Sequence, residues 1–223
     1  MKRILFVTDS IGSPRNIPEK CTFNDTWCYQ VSKNIGNMEV LFENIHGLDT
    51  DMLIGEFLTR ISLYEPDIII LQVGIVDCAP RVFTKFQLRV VKFLKLKFLH
   101  SFVSSNYAKL SKVRNIAYVS QSVFHENLIQ FINALDGIQI YALSIAPPSS
   151  KLKSKSPLMN ERVATYNNIL EEVFKNNFID PFKNIDQVLL DDMYMSDLIH
   201  FNKDGQSYIS HFVKQSLNSI LQQ

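Results

Sequence analysis

The chain has 223 residues, of which 46% are hydrophobic, and its 23 basic and 22 acidic side chains leave a net charge of +1. This composition is typical of one globular domain over 1–223 with a full core, and it excludes a disordered chain. The near-zero net charge gives no electrostatic support for nucleic acid as a partner.

The N-terminal segment does not match a signal peptide, because its apolar run ends at Asp9 and is too short. No stretch is long enough to span a bilayer as a helix, so we expect a cytoplasmic protein. The cysteines, Cys21, Cys28 and Cys78, lack metal-ligand spacing, and we expect them to be reduced and structural. Cys21 and Cys28 would pair only in an oxidising compartment.

Apolar runs alternate with helical patterns along the chain. In chain order, the predicted elements are strand 3–8, helix 26–36, strand 38–44, helix 50–63, strand 66–74, helix 83–103, helix 122–135, strand 137–145, loop 146–157, helix 159–176, strand 178–180 and a last helix from about 202 to 221. The run PDIIILQVG at 66–74 has no polar alternation, which favours a parallel strand covered on both faces. The pattern predicts a three-layer α/β/α sandwich around a parallel sheet of about five strands.

In such a sheet, functional side chains lie on loops beyond the carboxyl ends of the strands. The segments that follow the first three predicted strands are Asp9-Ser10, His46-Gly47 and Gly74-Ile75-Val76-Asp77. A nucleophilic serine needs a base, and the base needs an acid that orients it. Asp197 and His200, in SDLIHFNKDG before the last helix, have a spacing that lets the carboxylate reach the imidazole. The alternative is that this pair caps or packs the last helix, and His46 has no evident partner in the sequence.

These segments, in this order, resemble the four sequence blocks of the SGNH hydrolases, also called GDSL esterases. The resemblance extends from residue 4 to the last helix, and APPS at 146–149 and FID at 178–180 fit it as well. It implies a flavodoxin-like α/β/α fold and a serine-dependent hydrolase or acyltransferase. Within that resemblance, Ser10 would be the nucleophile, His200 the general base and Asp197 its orienting acid. The backbone N–H groups of Ser10 and Gly47 would form part of the oxyanion hole.

Two positions depart from the family's pattern. Thr8 stands where the first block normally has glycine. The third block normally reads Gly-x-Asn-Asp. Gly74 and Asp77 match it, and the resemblance places both among the oxyanion and substrate-binding residues. Val76 replaces the asparagine whose side chain donates to the oxyanion. Losing one such donor typically costs about 10²- to 10³-fold in rate.

Arg15 and Arg81 are candidate replacements for the missing donor, because a guanidinium can stabilise an oxyanion or hold an anionic group of the substrate. The alternative is that both arginines pair with local carboxylates such as Asp9 and Asp77. The departure at Val76 also leaves a second interpretation open. In that interpretation, the protein is a weak or inactive member of the fold that binds a glycan or a membrane-associated partner.

The segments DSIGSPR at 9–15 and LQVGIVDCAPR at 71–81 resemble a branch of SGNH-like proteins encoded among surface-polysaccharide biosynthesis genes. This resemblance implies a small-molecule ester, carbohydrate or lipid-linked glycan as substrate, from which an O-acyl group is removed or transferred. The sequence implies no metal or organic cofactor, because it contains no His/Cys cluster, P-loop or dinucleotide-binding glycine motif.

The predicted helix 83–103 is strongly basic. Lys85, Arg89 and Lys92 share one helical face, and the rest of its surface is mainly Phe, Leu and Val. Such a helix suits two placements: peripheral contact with an anionic membrane through 85–102, or packing on the sheet with its lysines in water.

Overall fold

The computed structural model describes residues 1–36, 38–95 and 97–221, without the side chains of 97–100 and 219–221. Five parallel strands form one sheet in the order β2-β1-β3-β4-β5. The strands are β1 Arg3–Thr8, β2 Glu39–Asn44, β3 Ile68–Gln72, β4 Gln139–Leu143 and β5 Phe178–Ile179. The predicted parallel sheet of about five strands is therefore confirmed.

The helices lie on both faces of this sheet. In chain order they are α1 Trp27–Ser32, α2 Thr50–Met52, α3 Leu58–Leu63, α4 Ile75–Cys78, α5 Lys85–Phe93, α6 Lys97–Ser105, α7 Tyr107–Arg114, α8 Gln121–Ala134, α9 Ser150–Lys155, α10 Met159–Phe174, α11 Gln187–Asp192 and α12 Lys203–Leu221. A π-helical turn, Leu53–Phe57, joins α2 to α3. In the part of the chain that is described, no helix is both long and apolar enough to cross a membrane.

Two apolar cores explain why the central strands lack polar alternation. Alternate residues of β1 and β3 point to opposite faces of the sheet. On one face they pack with α3, α8 and α10, around Leu5, Ile69 and Phe124. On the other face they pack with α1 and α12, around Phe6 and Trp27. Both faces are covered, which confirms the three-layer α/β/α sandwich.

The predicted helix 26–36 is shorter, ending at Ser32, and α4, α7 and α11 have no counterpart among the predicted elements. Two further predicted segments are organised differently. The helix predicted over 83–103 is broken, because α5 ends before Lys95, whose positive φ of 51° cannot continue a right-handed helix. The loop predicted over 146–157 contains α9, which begins where the Ser149 hydroxyl accepts the Leu152 N–H at 3.2 Å. Cys21, Cys28 and Cys78 are buried free thiols.

Candidate active site

The end of β1 turns sharply and presents Ser10 at the carboxyl edge of the sheet. Ser10–Gly12 form one turn of 3₁₀ helix, which the buried Asp9 caps by accepting the Ile11 N–H at 2.7 Å. The turn needs glycine at position 12, because a Cβ atom there would lie 2.4 Å from the Thr8 Oγ1. The local sequence thus fixes the direction in which the Ser10 side chain leaves the sheet.

The loop between α11 and α12 carries Asp197 and His200. One oxygen of Asp197, Oδ1, accepts the N–H groups of Ile199 and His200, both at 3.0 Å, and this shapes the loop as an Asx turn. The His200 carbonyl then accepts the Met195 N–H at 2.7 Å, which closes the loop. The second carboxylate oxygen remains free to meet the His200 ring.

Ser10, His200 and Asp197 form one hydrogen-bonded chain. The Ser10 Oγ lies 3.0 Å from the His200 Nε2, and the His200 Nδ1 lies 2.6 Å from the Asp197 Oδ2. The His200 and Asp197 side chains are 19% and 29% exposed, so the pair is reachable from solvent. A serine hydroxyl, an imidazole and a carboxylate in this order can activate the hydroxyl as a nucleophile.

The electrostatic environment keeps the His200 imidazole neutral. Burial lowers the pKa of His200 below its ordinary value, and the positive charges of Arg15 and His46 lower it further, whereas Asp197 opposes them. Burial raises the pKa of Asp197, but the hydrogen bonds from His200 and Ile199 outweigh it and leave that pKa below its ordinary value. The pair therefore consists of a neutral imidazole and an ionised carboxylate near neutral pH, as a general base requires.

Arg15 lies against the backbone of Ser10. Its Nη2 donates to the carbonyl oxygen of Ser10, and its Nε is buried without a hydrogen-bond partner among the described residues. The segment that holds it is closed by two backbone hydrogen bonds with Cys21, of 2.8 and 2.9 Å. The structure thus brings the Arg15 guanidinium to the backbone of Ser10, where it holds the Ser10 carbonyl oxygen by a hydrogen bond.

Arg81 and Asp77 occupy different surroundings from those predicted. The Arg81 guanidinium lies over the Tyr118 ring, 4.5 Å from its centroid, and within the described residues no hydrogen bond joins it to Ser10. The Asp77 side chain, a candidate substrate-binding group from the third block, is fully buried and accepts the Thr50 N–H and Oγ1–H at 2.8 and 2.6 Å. Burial raises the pKa of Asp77 to about 6. Asp77 therefore connects the segment after β3 to the start of α2 by hydrogen bonds.

Gly74 and Gly47 both adopt backbone conformations that favour glycine. Gly74 has a φ of 114° and precedes α4, and a Cβ atom there would lie 2.5 Å from the Ile145 Cδ1. Gly47 has a φ of 74° in the loop after β2. Among the described residues, no protein acceptor takes the N–H of Gly47 or of Ser10, so both donors are available to a ligand.

A cleft of about 590 Å³ is lined by Gly47 and Val76. Its remaining lining residues are Asp49, Asp51, Met52, Gly55, Glu56, Lys85, Leu88, Arg89, Lys92 and Tyr118. This lining combines carboxylates, cations and one aromatic ring, a mixture that suits a polar ligand. No group of three His, Cys, Asp or Glu side chains suited to a metal ion occurs in 1–36, 38–95 and 97–221.

Two features of the site escaped sequence reasoning. His46 lies close enough to His200 for its charge to act on the His200 pKa, although nothing in the sequence pairs the two residues. Gln206 on α12 donates to the Ile11 carbonyl and accepts the Trp27 N–H, both at 2.8 Å. The sequence gives one indication of the role of Gln206: it is a polar residue at a position of the amphipathic helix α12 that faces the core.

Solved structures with the same architecture are esterases and acylhydrolases. A lipase/acylhydrolase from Enterococcus faecalis has a TM-score of 0.68 at 14% identity, over 98% of this chain and 96% of that one. A carbohydrate acetylesterase family member from Sinorhizobium meliloti has a TM-score of 0.65 at 14% identity, over the full length of both chains. A protein described as lipolytic and of the G-D-S-L family, from Desulfitobacterium hafniense, has a TM-score of 0.63 at 10% identity, over 97% of this chain and 99% of that one.

The chain has the SGNH hydrolase fold. No family model matches its sequence, and no curated protein is similar to it in sequence. The likeness to the SGNH hydrolases therefore lies in the architecture and in the placement of a few short segments.

Proposed function

We propose that this SGNH-fold protein is a serine-dependent esterase or acyltransferase. The observation that carries the proposal is the hydrogen-bonded chain from Ser10 through His200 to Asp197, which joins residues 190 positions apart in sequence. The esterase descriptions of the proteins with similar folds support the same reaction class. We assign Ser10 as nucleophile, His200 as general base and Asp197 as the acid that orients the imidazole.

The Ser10 oxygen attacks the ester carbonyl while the His200 Nε2 takes the hydroxyl proton. The tetrahedral intermediate then expels the alcohol, which receives that proton from His200, and an acyl-Ser10 ester remains. Water or a sugar hydroxyl attacks this ester in the second half-reaction and loses its proton to the His200 Nε2. The bond between the acyl group and the Ser10 oxygen then breaks, and that oxygen takes the proton back from His200. Hydrolysis and transfer thus share the first half-reaction and differ in the acceptor.

The N–H groups of Ser10 and Gly47 are the proposed donors to the oxyanion. Both lack a protein acceptor among the described residues, which supports this role. Val76 supplies no third donor from its side chain. We therefore expect turnover to be about 10²- to 10³-fold below that of a site with all three donors.

The proposed substrate is an O-acylated carbohydrate or lipid-linked glycan. The cleft beside Gly47 and Val76 offers the exposed carboxylates of Asp51 and Glu56 and the ring of Tyr118, groups that suit sugar hydroxyls and sugar faces. The carbohydrate acetylesterase of similar fold supports an acetyl ester as the first substrate to assay.

Labelling with a fluorophosphonate, followed by intact mass measurement, tests the nucleophile without knowledge of the substrate. We expect one adduct on the wild-type protein and none on Ser10→Ala or His200→Ala. Ser13→Ala, on the same loop, and His211→Ala, on α12, are matched controls that should label like the wild type. Full labelling of Ser10→Ala would contradict the assignment.

A second candidate function, glycan binding without turnover, is favoured by the missing donor at Val76. It predicts no adduct on the wild-type protein together with measurable affinity for an acetylated oligosaccharide in calorimetry. Labelling of Ser10 in the wild type would rule it out.

A further inference from the structure

The stretch from Cys78 to His125 contains basic side chains and no acidic ones. Its basic residues are Arg81, Lys85, Arg89, Lys92, Lys95, Lys97, Lys109, Lys112 and Arg114. The whole chain has nearly equal numbers of acidic and basic residues, so this segment concentrates positive charge in one part of the molecule. The segment includes α5, α6 and α7.

Helix α5 contributes no buried residue to the core. None of its nine residues is buried, which argues against the alternative that this helix packs its apolar side on the sheet. Phe86 is 73% exposed, Phe93 is 85% exposed, and Leu94 just beyond the helix is 54% exposed. Large apolar side chains exposed together on one element mark a surface that meets an apolar partner.

Two stripes run side by side along α5. Lys85, Arg89 and Lys92 repeat with the spacing i, i+4, i+7 and form a basic stripe. Phe86, Val90 and Phe93 repeat with the same spacing one residue later, so they form an apolar stripe about 100° around the helix. The basic stripe and the apolar stripe therefore occupy adjacent parts of the helix surface.

Most of this charge is not neutralised within the protein. Lys85 forms ion pairs with Asp49 and Asp51 at 2.7 and 2.9 Å. In the described part of the chain, neither Arg89 nor Lys92 forms an ion pair, and both are exposed. An apolar groove of about 280 Å³, lined by the Phe86 and Val90 side chains among others, opens between α5 and Arg114.

We propose that α5 docks on an anionic lipid surface. The apolar stripe enters the boundary between headgroups and acyl chains, while Arg89 and Lys92 contact the anionic headgroups beside it. A double-stranded nucleic acid would be attracted by the same cations, but its phosphate backbone offers no apolar surface to Phe93 and Leu94. The combination of unpaired cations with large exposed apolar side chains therefore favours lipid.

The docked orientation brings the cleft to the membrane surface. Lys85, Leu88, Arg89 and Lys92 of α5 also line the cleft beside Gly47. Under the function proposed above, on which this step rests, an acylated glycan attached to a lipid would reach Ser10 without leaving the headgroup region. The docking itself does not depend on turnover, because the exposed stripes and Ser10 are separate features.

Co-sedimentation of the full chain with vesicles tests the docking. We expect binding to vesicles of equal phosphatidylglycerol and phosphatidylcholine, and little binding to phosphatidylcholine alone. Phe86→Ser with Phe93→Ser should weaken binding at least tenfold, because two apolar side chains lose their burial. Arg89→Glu with Lys92→Glu should weaken it at least about thirtyfold, since each of the two lost cations contributes about fivefold near an anionic surface.

Matched variants remove the same kinds of side chain elsewhere. Leu63→Ser with Val188→Ser removes exposed apolar residues, and Lys151→Glu with Lys155→Glu reverses exposed charges on α9. Both pairs should bind vesicles within about twofold of the wild type, and circular dichroism should show all variants folded. Fluorescence of Phe93→Trp should shift to shorter wavelength with anionic vesicles, whereas the buried Trp27 should not respond.

Three results would overturn the proposal. The first is absent or equal binding to the two vesicle types. The second is unchanged binding of the phenylalanine double variant, which would mean that the apolar stripe does not enter the membrane. The third is an unshifted Phe93→Trp spectrum. Ser10→Ala should still bind vesicles, so failure of the docking and failure of the esterase proposal are distinguishable.

Discussion

At the scale of single residues, the site depends on contacts that sequence spacing describes incompletely. The three-residue spacing of Asp197 and His200 indicates that the pair can meet, and they do, at 2.6 Å. The order of the segments along the chain, through the family resemblance, indicates that Ser10 meets the same imidazole. Spacing does not distinguish Arg15 from Arg81, because the fold decides which guanidinium reaches the Ser10 backbone.

Val76→Asn should raise the rate of hydrolysis of 4-nitrophenyl acetate by about tenfold or more, because it restores an oxyanion donor at the position where the family has one. Val76 is half-buried and lines the same cleft as Gly47, so a side-chain amide there faces the ligand. Val76→Leu is the control without a donor. Equal rates for the two variants would mean that the oxyanion is stabilised elsewhere.

The pH dependence of ester hydrolysis should follow the protonation of His200. Only the neutral imidazole accepts the Ser10 proton, and the pKa of His200 lies below its ordinary 6.5 because of burial. The rise of kcat/KM with pH should therefore have its midpoint below 6.5. The electrostatic effect of His46 also lowers the pKa of His200, so the midpoint for His46→Gln should move to higher pH. A wild-type midpoint above 7 would contradict the assignment of the base.

At the scale of elements, long apolar runs were predictable and short capped turns were not. The continuous apolar run of β3 predicts a strand buried on both faces, and the strand is buried along its whole length. The helical periodicity of apolar residues in α10 predicts a helix with one face in the core, as observed. The six-residue helices α9 and α11 are too short for periodicity and depend on the caps from Ser149 and Asp186. The break after α5 comes from the positive φ of Lys95. A lysine in the sequence does not predict a positive φ, so the break could not be predicted.

Gly74→Ala should destabilise the fold by more than Gly137→Ala. Both glycines have positive φ, 114° and 81°, so alanine is strained at either position. At Gly74 the added Cβ would also lie 2.5 Å from the Ile145 side chain, whereas at Gly137 nothing lies within 4 Å. Urea denaturation of both variants should show a loss at Gly74 that is larger by about 1–3 kcal/mol. Equal losses would mean that Ile145 moves aside without cost.

At the scale of the whole molecule, polar groups connect the site to the core. The Trp27 Nε1 donates to the Gln72 Oε1 at 3.0 Å, and Gln206 joins α12 to the Ser10 turn and to α1. Asp9 is buried in the same region, and burial raises its pKa to about 7. Sequence order gives the strand arrangement, but this polar network depends on which side chains the packed layers bring together.

Asp9→Asn should change how stability depends on pH. In wild-type protein, Asp9 keeps its proton up to about pH 7, whereas the unfolded chain releases it near 3.8. Stability from this group is therefore lost as pH rises from about 4 to 7. The variant should gain about 2–4 kcal/mol relative to wild type between pH 4 and pH 8, with the exposed Asp136→Asn as control. A constant difference across that range would contradict the raised pKa.

Ser10 and His200 lie 190 positions apart in the chain. Under the proposed function, phosphonate labelling of Ser10 therefore measures whether the fold that joins them is intact. A molecule in which the region around α12 has detached keeps its serine but lacks the base, so it should not react with the phosphonate. The labelled fraction of a preparation should then count intact molecules. In denaturant, that fraction should fall at or before the loss of helical signal, which would turn an activity probe into a measure of local opening at the C-terminal end.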